Sequence, residues 1–350
     1  FIDGIDPETG KRLWRRYTIP APGEKGNETW PQGTNAWEVG GGSAWITGSY
    51  DPQLDLMFWG TGNPAPWASQ SRPGDNLYTS SVLAMRPKTG EIVWHYQFTP
   101  NDAYDYDACW ELINADLKID GKDRKVLMQL NRNGFVYVLD RASGSLISAR
   151  PYAKVNWANG VDPDTGRPIE SDIAKSIRAG NPTEMWPSTR GGKNWMHASF
   201  NPQTGLLYAA TLHEGRMYKH LETKPHVVGQ RYMYIENLPL PRAAGEPIGH
   251  IDAINPLTGE KKWRVPLTDF QVWSATLSTA GGLVFTGKET GEFIALDAET
   301  GKQLWQFQTG SGINAMPVTY THKGRQYVTV LSGIGGLYWN IAREQLRLAL

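Results

Sequence analysis

One short pattern recurs along the chain and restricts its fold more than any other feature. Asp6-Pro7-Glu8-Thr9-Gly10 is followed by Trp14. The same arrangement returns as Arg86-Pro87-Lys88-Thr89-Gly90 with Trp94, as Asn255-Pro256-Leu257-Thr258-Gly259 with Trp263, and as Asp297-Ala298-Glu299-Thr300-Gly301 with Trp305. Weaker copies lie at 140–144 and 201–205. Each copy sits between short apolar runs, such as Phe293-Ile294-Ala295-Leu296 before and Leu304-Trp305-Gln306-Phe307 after, so each reads as a polar turn closing a β-hairpin. The glycine supplies a dihedral that other residues resist, and the tryptophan is placed to pack on a neighbouring unit. Units spaced by roughly 40–60 residues fit the four-stranded blades of a β-propeller with insertions. Helical arrays of similar period are disfavoured, because the segments between turns are short, β-branched and aromatic.

Two stretches break the period, at about 151–192 and 213–246, both rich in proline, glycine and charge. Insertions in repeat proteins map to loops on one face, often the binding face. Within the first, 173–179 suits one or two helical turns, and 341–350 suits an amphipathic helix. The expectation is one all-β domain over 1–350, a partial propeller with about six blades represented and these two loop insertions. The chain opens at Phe1 inside a repeat, which predicts that it is part of a longer propeller.

A hydrophobic fraction of 40% over 350 residues supports a well-buried globular core. Lysine and arginine (35) balance aspartate and glutamate (35), so charge recommends neither nucleic acid nor an anionic membrane as partner. A small neutral ligand fits better. Cys109 is the single cysteine, which rules out an internal disulfide. No run of eighteen apolar residues predicts a membrane span.

Several catalytic signatures fail. There is no Walker loop or Gly-x-Ser-x-Gly elbow, and His213-Glu214 lacks the second histidine of a zincin. The run 310–315 formally fits a dinucleotide fingerprint, but 320–330 reads as a hairpin where a crossover helix is required.

The densest chemistry lies in 101–111, where Asp102, Asp105, Asp107 and Glu111 are interleaved with aromatic residues. If 104–107 runs extended, Asp105 and Asp107 project to one face, where two like charges need a metal or a proton between them. The alternative is a solvated acidic loop. Four other places stand out: Gly40-Gly41-Gly42-Ser43-Ala44-Trp45, whose glycines bring backbone close to something flat; Gly60-Thr61-Gly62-Asn63-Pro64-Ala65-Pro66-Trp67, which aims Asn63; Asn131-Arg132-Asn133-Gly134, a tight turn with Arg132 at its tip; and Gly191-Gly192-Lys193-Asn194-Trp195. Singly, each also reads as turn glycines, a capping asparagine or an exposed turn arginine.

Taken together, these segments resemble the quinoprotein alcohol dehydrogenases, which hold pyrroloquinoline quinone (PQQ) and a metal ion at the centre of an eight-bladed propeller. The resemblance runs from Phe1 to about Gly336, with Gly-Asn-Pro-Ala-Pro-Trp and Tyr-Asp-Tyr-Asp as its most specific segments. It implies that Trp45 stacks under the quinone ring, that Asn63 is an amide ligand of the metal, that Asp105 is the catalytic aspartate and a metal ligand, and that Arg132 hydrogen-bonds the reactive quinone carbonyl. Asn194 and Trp273 resemble further contacts to cofactor oxygens, and Ser43 resembles a contact to a cofactor carboxylate. Asp107 occupies the position where the lanthanide-dependent members carry an aspartate. A hard, trivalent cation favours the added anionic oxygen.

The resemblance therefore implies oxidation of primary alcohols to aldehydes, a lanthanide ion as Lewis acid with calcium as the alternative, cytochrome c as electron acceptor and a periplasmic location; a homodimer is an assembly it allows. The family's glutamate ligand and adjacent-cysteine disulfide lie upstream of the region resembled. The nearest rivals are a calcium-dependent dehydrogenase of methanol, polyols or sugars, against which Asp107 speaks, and a non-catalytic propeller scaffold, which has no use for Asn63, Asp105 and Arg132 together.

Overall fold

A computed structural model of the protein describes residues 1–335; the helix expected at 341–350 lies outside the described residues. Four antiparallel sheets of four strands dominate. Sheet I comprises Ser49–Asp51, Leu56–Gly60, Ser81–Met85 and Ile92–Gln97; sheet II comprises Ile113–Ile119, Lys122–Leu130, Phe135–Asp140 and Leu146–Pro151. Sheet III comprises Ser199–Asn201, Leu206–Leu212, Gly249–Ile254 and Lys261–Leu267; sheet IV comprises Leu277–Ser278, Leu283–Gly287, Glu292–Asp297 and Gln303–Gln308. In every sheet the strands pair in chain order, the meander of a propeller blade. Two-stranded hairpins, Ile2–Ile5 with Arg12–Arg16 and Val318–His322 with Arg325–Thr329, flank them. The second hairpin occupies the place where a dinucleotide fold needs a helix.

Burial explains the strand sequences. Ser81–Met85 and Gly249–Ile254 are buried at every position; the first reads as a continuous small or apolar run, and the second also buries His250 and Asp252, the latter paired with Arg264. The fourth strand Lys261–Leu267 alternates, burying Trp263 while Lys262 and Arg264 face outward.

The repeated turn has the conformation its residues require. Asp6 Oδ1 accepts from the N–H groups of Glu8 and Thr9, both at 2.9 Å, while Gly10 N–H returns to Asp6 O at 2.9 Å with φ of 69°. The tryptophan of one copy covers the glycine of another: a Cβ on Gly90 would lie 2.5 Å from the Trp14 ring, one on Gly144 2.5 Å from Trp94, and one on Gly301 2.7 Å from Trp263. Trp305 departs from the expected packing role. It is 48% exposed on a fourth strand that is exposed throughout, and no motif glycine lies over it among the described residues.

A further copy, Asp162-Pro163-Asp164-Thr165-Gly166, was hidden inside the first insertion. It closes the hairpin Ala158–Val161 with Pro168–Glu170 through the same Asp162 Oδ1 bonds, to Asp164 N and Thr165 N. Glu170 stands four residues after its glycine where the clear copies carry tryptophan, which concealed it; Gly166 itself lies under the Tyr96 ring. The helix α1, Asp172–Arg178, follows, capped by the Ser171 hydroxyl. The two insertions pair with each other: Thr183–Met185, Arg216–His220 and Ile235–Pro239 form a three-stranded sheet.

The chain divides into two compact units. One joins Phe1–Gly192 with Gly215–Pro241; the other joins Lys193–Glu214 with the chain from Arg242 onward. The first is centred on Phe58, Tyr104, Tyr106, Tyr137, Trp157 and Tyr218, the second on Tyr208, Ile251, Trp273, Val284 and Ile294. No helix among the described residues is long and apolar enough to cross a membrane.

Candidate active site

The first unit gathers six of the eight residues singled out in the sequence. The connection from sheet I to sheet II carries the acidic stretch, and it is buried from Asp102 to Leu112. Asp102 organises it. Its Oδ1 accepts from Tyr104 N–H at 2.8 Å and its Oδ2 from Tyr106 N–H at 2.7 Å and the Ser80 hydroxyl at 3.1 Å. The buried Arg72 guanidinium also donates to Asp102 O, Pro66 O and Asn76 Oδ1, tying three loop segments together.

The extended conformation anticipated for 104–107 is not adopted, because Asp105 has φ of 68°, in the left-handed region. The carboxylates of Asp105 and Asp107 still converge, but by packing and not by strand alternation. Arg132 Nη2 donates to Asp105 Oδ2 at 2.6 Å, its Nη1 to Asp107 Oδ2 at 2.6 Å, and its Nε to Thr189 O at 2.7 Å. All three side chains are buried, so Arg132 is no exposed turn residue. The positive charge that the paired carboxylates demand is supplied within the protein by the guanidinium.

The two carboxyls are not equivalent. Burial pushes Asp105 well above the ordinary carboxylate range, with Arg132 opposing and Asp107 and Asp102 reinforcing the shift. Burial also raises Asp107, against Arg132 and an N–H bond from Asn63. That bond, Asn63 N–H to Asp107 Oδ1 at 2.7 Å, joins the third expected metal ligand to the pair. Asn63 Nδ2 donates to Pro64 O, leaving Oδ1 as the acceptor atom of its amide.

Glycines make this approach possible. A Cβ on Gly62 would stand 2.7 Å from Asp107 Oδ1, and one on Gly41 would stand 2.5 Å from Asn63 O. The flat object against the triple glycine is an indole of the protein itself, since a Cβ on Gly40 would meet the Trp30 ring at 2.4 Å. Ser43 O accepts from Gly62 N–H at 2.9 Å and from the Cys109 thiol at 3.1 Å. Trp45 stays 45% exposed and meets Trp110 edge-on, with ring centroids 5.3 Å apart. Trp110 in turn lies 5.8 Å from the Arg132 guanidinium carbon.

The second unit holds Asn194 and Trp273. Asn194 Oδ1 accepts from Trp195 N–H at 3.0 Å, and the Trp195 ring lies 4.7 Å from that of Trp273. Trp273 is fully buried and its backbone N–H donates to Glu289 Oε1 at 2.6 Å. Trp110, Asp102, Thr189 and Glu289 were not identified from the sequence as site residues. Trp110 and Asp102 belong to the acidic stretch and could have been found there; Thr189 acts through its backbone, which leaves no side-chain signal.

Among the described residues no group of three His, Cys, Asp or Glu side chains is placed to hold a metal. The oxygen set of Asp105, Asp107 and the Asn63 amide suits a hard cation with part of its shell supplied from elsewhere. The half-exposed Trp45 ring, edge-on to Trp110, suits a planar ligand.

Residues 1–156 and 224–328 match the family described as glucose/ethanol/alcohol dehydrogenase, beta-propeller domain, PQQ. Quinohemoprotein alcohol dehydrogenase ADH IIB of Pseudomonas putida is 42% identical over 99% of this chain and 52% of its own length. The lanthanide-dependent methanol dehydrogenase of Methylorubrum extorquens is 38% identical over 96% of this chain and 60% of its own. A solved europium-containing methanol dehydrogenase superposes with a TM-score of 0.88 at 36% identity, covering 97% of this chain and 62% of that one. The chain thus spans little more than half the length of the relatives it matches. It belongs to the PQQ-dependent alcohol dehydrogenase family, as a β-propeller member.

Proposed function

We propose that the protein to which this chain belongs oxidises primary alcohols to aldehydes, using PQQ and a lanthanide ion, and passes the electrons to a cytochrome c in the periplasm. The observation that supports this most is the buried convergence of Asp105, Asp107 and Arg132, with Asn63 bonded to Asp107, in a chain of this family. When bound, the quinone would supply the two-electron acceptor and the metal its Lewis acidity.

The residues divide the remaining work. Asp105, Asp107 and Asn63 would hold the cation, and Trp45 would lie against the quinone plane. Asn194, Trp273 and Ser43 would contact quinone oxygens. Asp105, its carboxylate held in place by Arg132, takes the hydroxyl proton of the alcohol. Arg132 orients that carboxylate through the 2.6 Å bond and offers its donors to developing negative charge. Asp107 adds the anionic oxygen that favours a trivalent ion over calcium.

Two variants of the complete protein test this. Asp105→Asn should retain quinone and metal while turnover of an alcohol series falls by ~10²- to 10⁴-fold, followed by dye reduction. Asp107→Ala should lose lanthanum-supported turnover. Full activity of Asp105→Asn would remove it as the base, and a wild type equally active with calcium and lanthanum would remove the metal assignment.

A further inference from the structure

Two turns in different sheets share one backbone. In sheet II, the turn 131–134 joins the second and third strands, with Asn131 N–H on Phe135 O at 2.9 Å and Gly134 N–H on Asn131 O at 3.1 Å. In sheet IV, the turn 288–291 joins the same two strands, with Lys288 N–H on Glu292 O at 2.8 Å and Gly291 N–H on Lys288 O at 3.0 Å. The glycines have φ of 97° and 96°, and their carbonyls accept from Tyr152 and Thr309, each at 2.9 Å. The second residue is Arg132 in one turn and Glu289 in the other. Each side chain reaches back to the segment that enters its own sheet: Arg132 to Asp105 and Asp107, Glu289 to Trp273.

Glu289 is 8% exposed. Its Oε1 is satisfied by the Trp273 N–H at 2.6 Å, but its Oε2 is buried with no hydrogen-bond partner among the described residues. A buried carboxyl oxygen left unpaired is costly, which calls for a partner outside the polypeptide. Burial, opposed by the N–H groups of Trp273 and of Glu289 itself, pushes this carboxyl up to about 8, so at neutral pH it carries a proton. The segments packed against it, 271–276 and 309–313, contain no titratable side chain; the charged residues on its own turn and strand are Lys288, Glu292 and, at the far end, Asp297.

We infer that Glu289 donates a hydrogen bond from Oε2 to an oxygen of the bound quinone, beside Trp273. The inference rests on the reading of Trp273 as a quinone contact. It assigns Glu289 the role in sheet IV that the same turn position gives Arg132 in sheet II, that of presenting a donor to the ligand. Ionised Glu289 has no proton to donate and repels the quinone's carboxylates, so affinity falls as it titrates.

The test is PQQ binding by the complete, quinone-free protein, measured by equilibrium dialysis from about pH 6 to about pH 9, a range that brackets the carboxyl. Wild-type affinity should fall roughly tenfold across that range, the loss of one hydrogen bond and the gain of one like charge. Glu289→Gln keeps an acceptor for Trp273 N–H and a donor for the quinone, so its affinity should stay level with pH. Glu289→Leu should bind ~10-fold more weakly than wild type at the acid end. If that variant does not fold, infrared difference spectra decide: adding PQQ should shift the carbonyl band of a protonated carboxylic acid in wild type, and Glu289→Gln should lack that band. Superimposable pH profiles for wild type and Glu289→Gln, or an unshifted band, would overturn the role of Glu289 alone. A wild type that binds no quinone at any pH would overturn the proposed function with it.

Discussion

The turns 131–134 and 288–291 are built alike and behave as chemical opposites. Both place a glycine near φ of 97° and both close the second hairpin of a four-stranded sheet. Arg132 finds two carboxylates and a carbonyl, so its charge is fully answered. Glu289 finds one backbone N–H and leaves one oxygen unanswered. The repeat thus fixes where a side chain is presented, while the residue chosen and the segment facing it fix what it can do. A blade position is a socket whose chemistry can be exchanged without disturbing the sheet.

The largest contrast between the two should appear on truncation. Arg132→Ala strands two buried carboxylates and should cost about 3–5 kcal/mol of stability in urea unfolding. Glu289→Ala strands only the Trp273 N–H and should cost about 1–3 kcal/mol. Equal losses would break the distinction between an answered charge and an unanswered oxygen.

A second contrast concerns pH. Glu289 titrates at about 8 in the folded state against an ordinary value of 4.5, so between these values the folded protein holds a proton that the unfolded chain has released. Stability must therefore fall as pH rises through that window and level off above about 8. The difference between wild type and Glu289→Gln in urea midpoints isolates this contribution from those of Asp105 and Asp107. A difference that does not change with pH would show that Glu289 ionises normally.

The smallest difference should be in the feature that the two turns share. Gly134→Ala and Gly291→Ala each force a side chain into the left-handed region against a close neighbour, Val155 in one case and Gln308 in the other. Each should cost about 1–3 kcal/mol, and by similar amounts. A large inequality would mean that the backbones are less alike than their hydrogen bonds.

How much of this was readable beforehand differs by feature. The hairpins were legible because a turn is written within five residues, as at 297–301, where the Asp297 side chain, the Thr300 hydroxyl and the Gly301 dihedral all act locally. The copy at 162–166 escaped because Glu170 stands where the clear copies carry the tryptophan that follows their glycine. Asp105, Asp107 and Arg132 were legible as residues through their family resemblance, but their arrangement was not. Strand alternation would have joined the two aspartates, whereas Asp105 is left-handed.

By itself, then, the sequence determined an all-β chain of repeated hairpins and the membership that its Asn63, Asp105, Asp107 and Arg132 segments announce, because turn dihedrals and periodic burial are set by neighbours along the chain. Tertiary structure decided that Arg132 is buried between two carboxylates 25 and 27 residues away, and that Glu289 lies buried against Trp273, 16 residues earlier. Such contacts depend on which loops pack together, and desolvation, the main cause of the shifted carboxyls, exists only once they do.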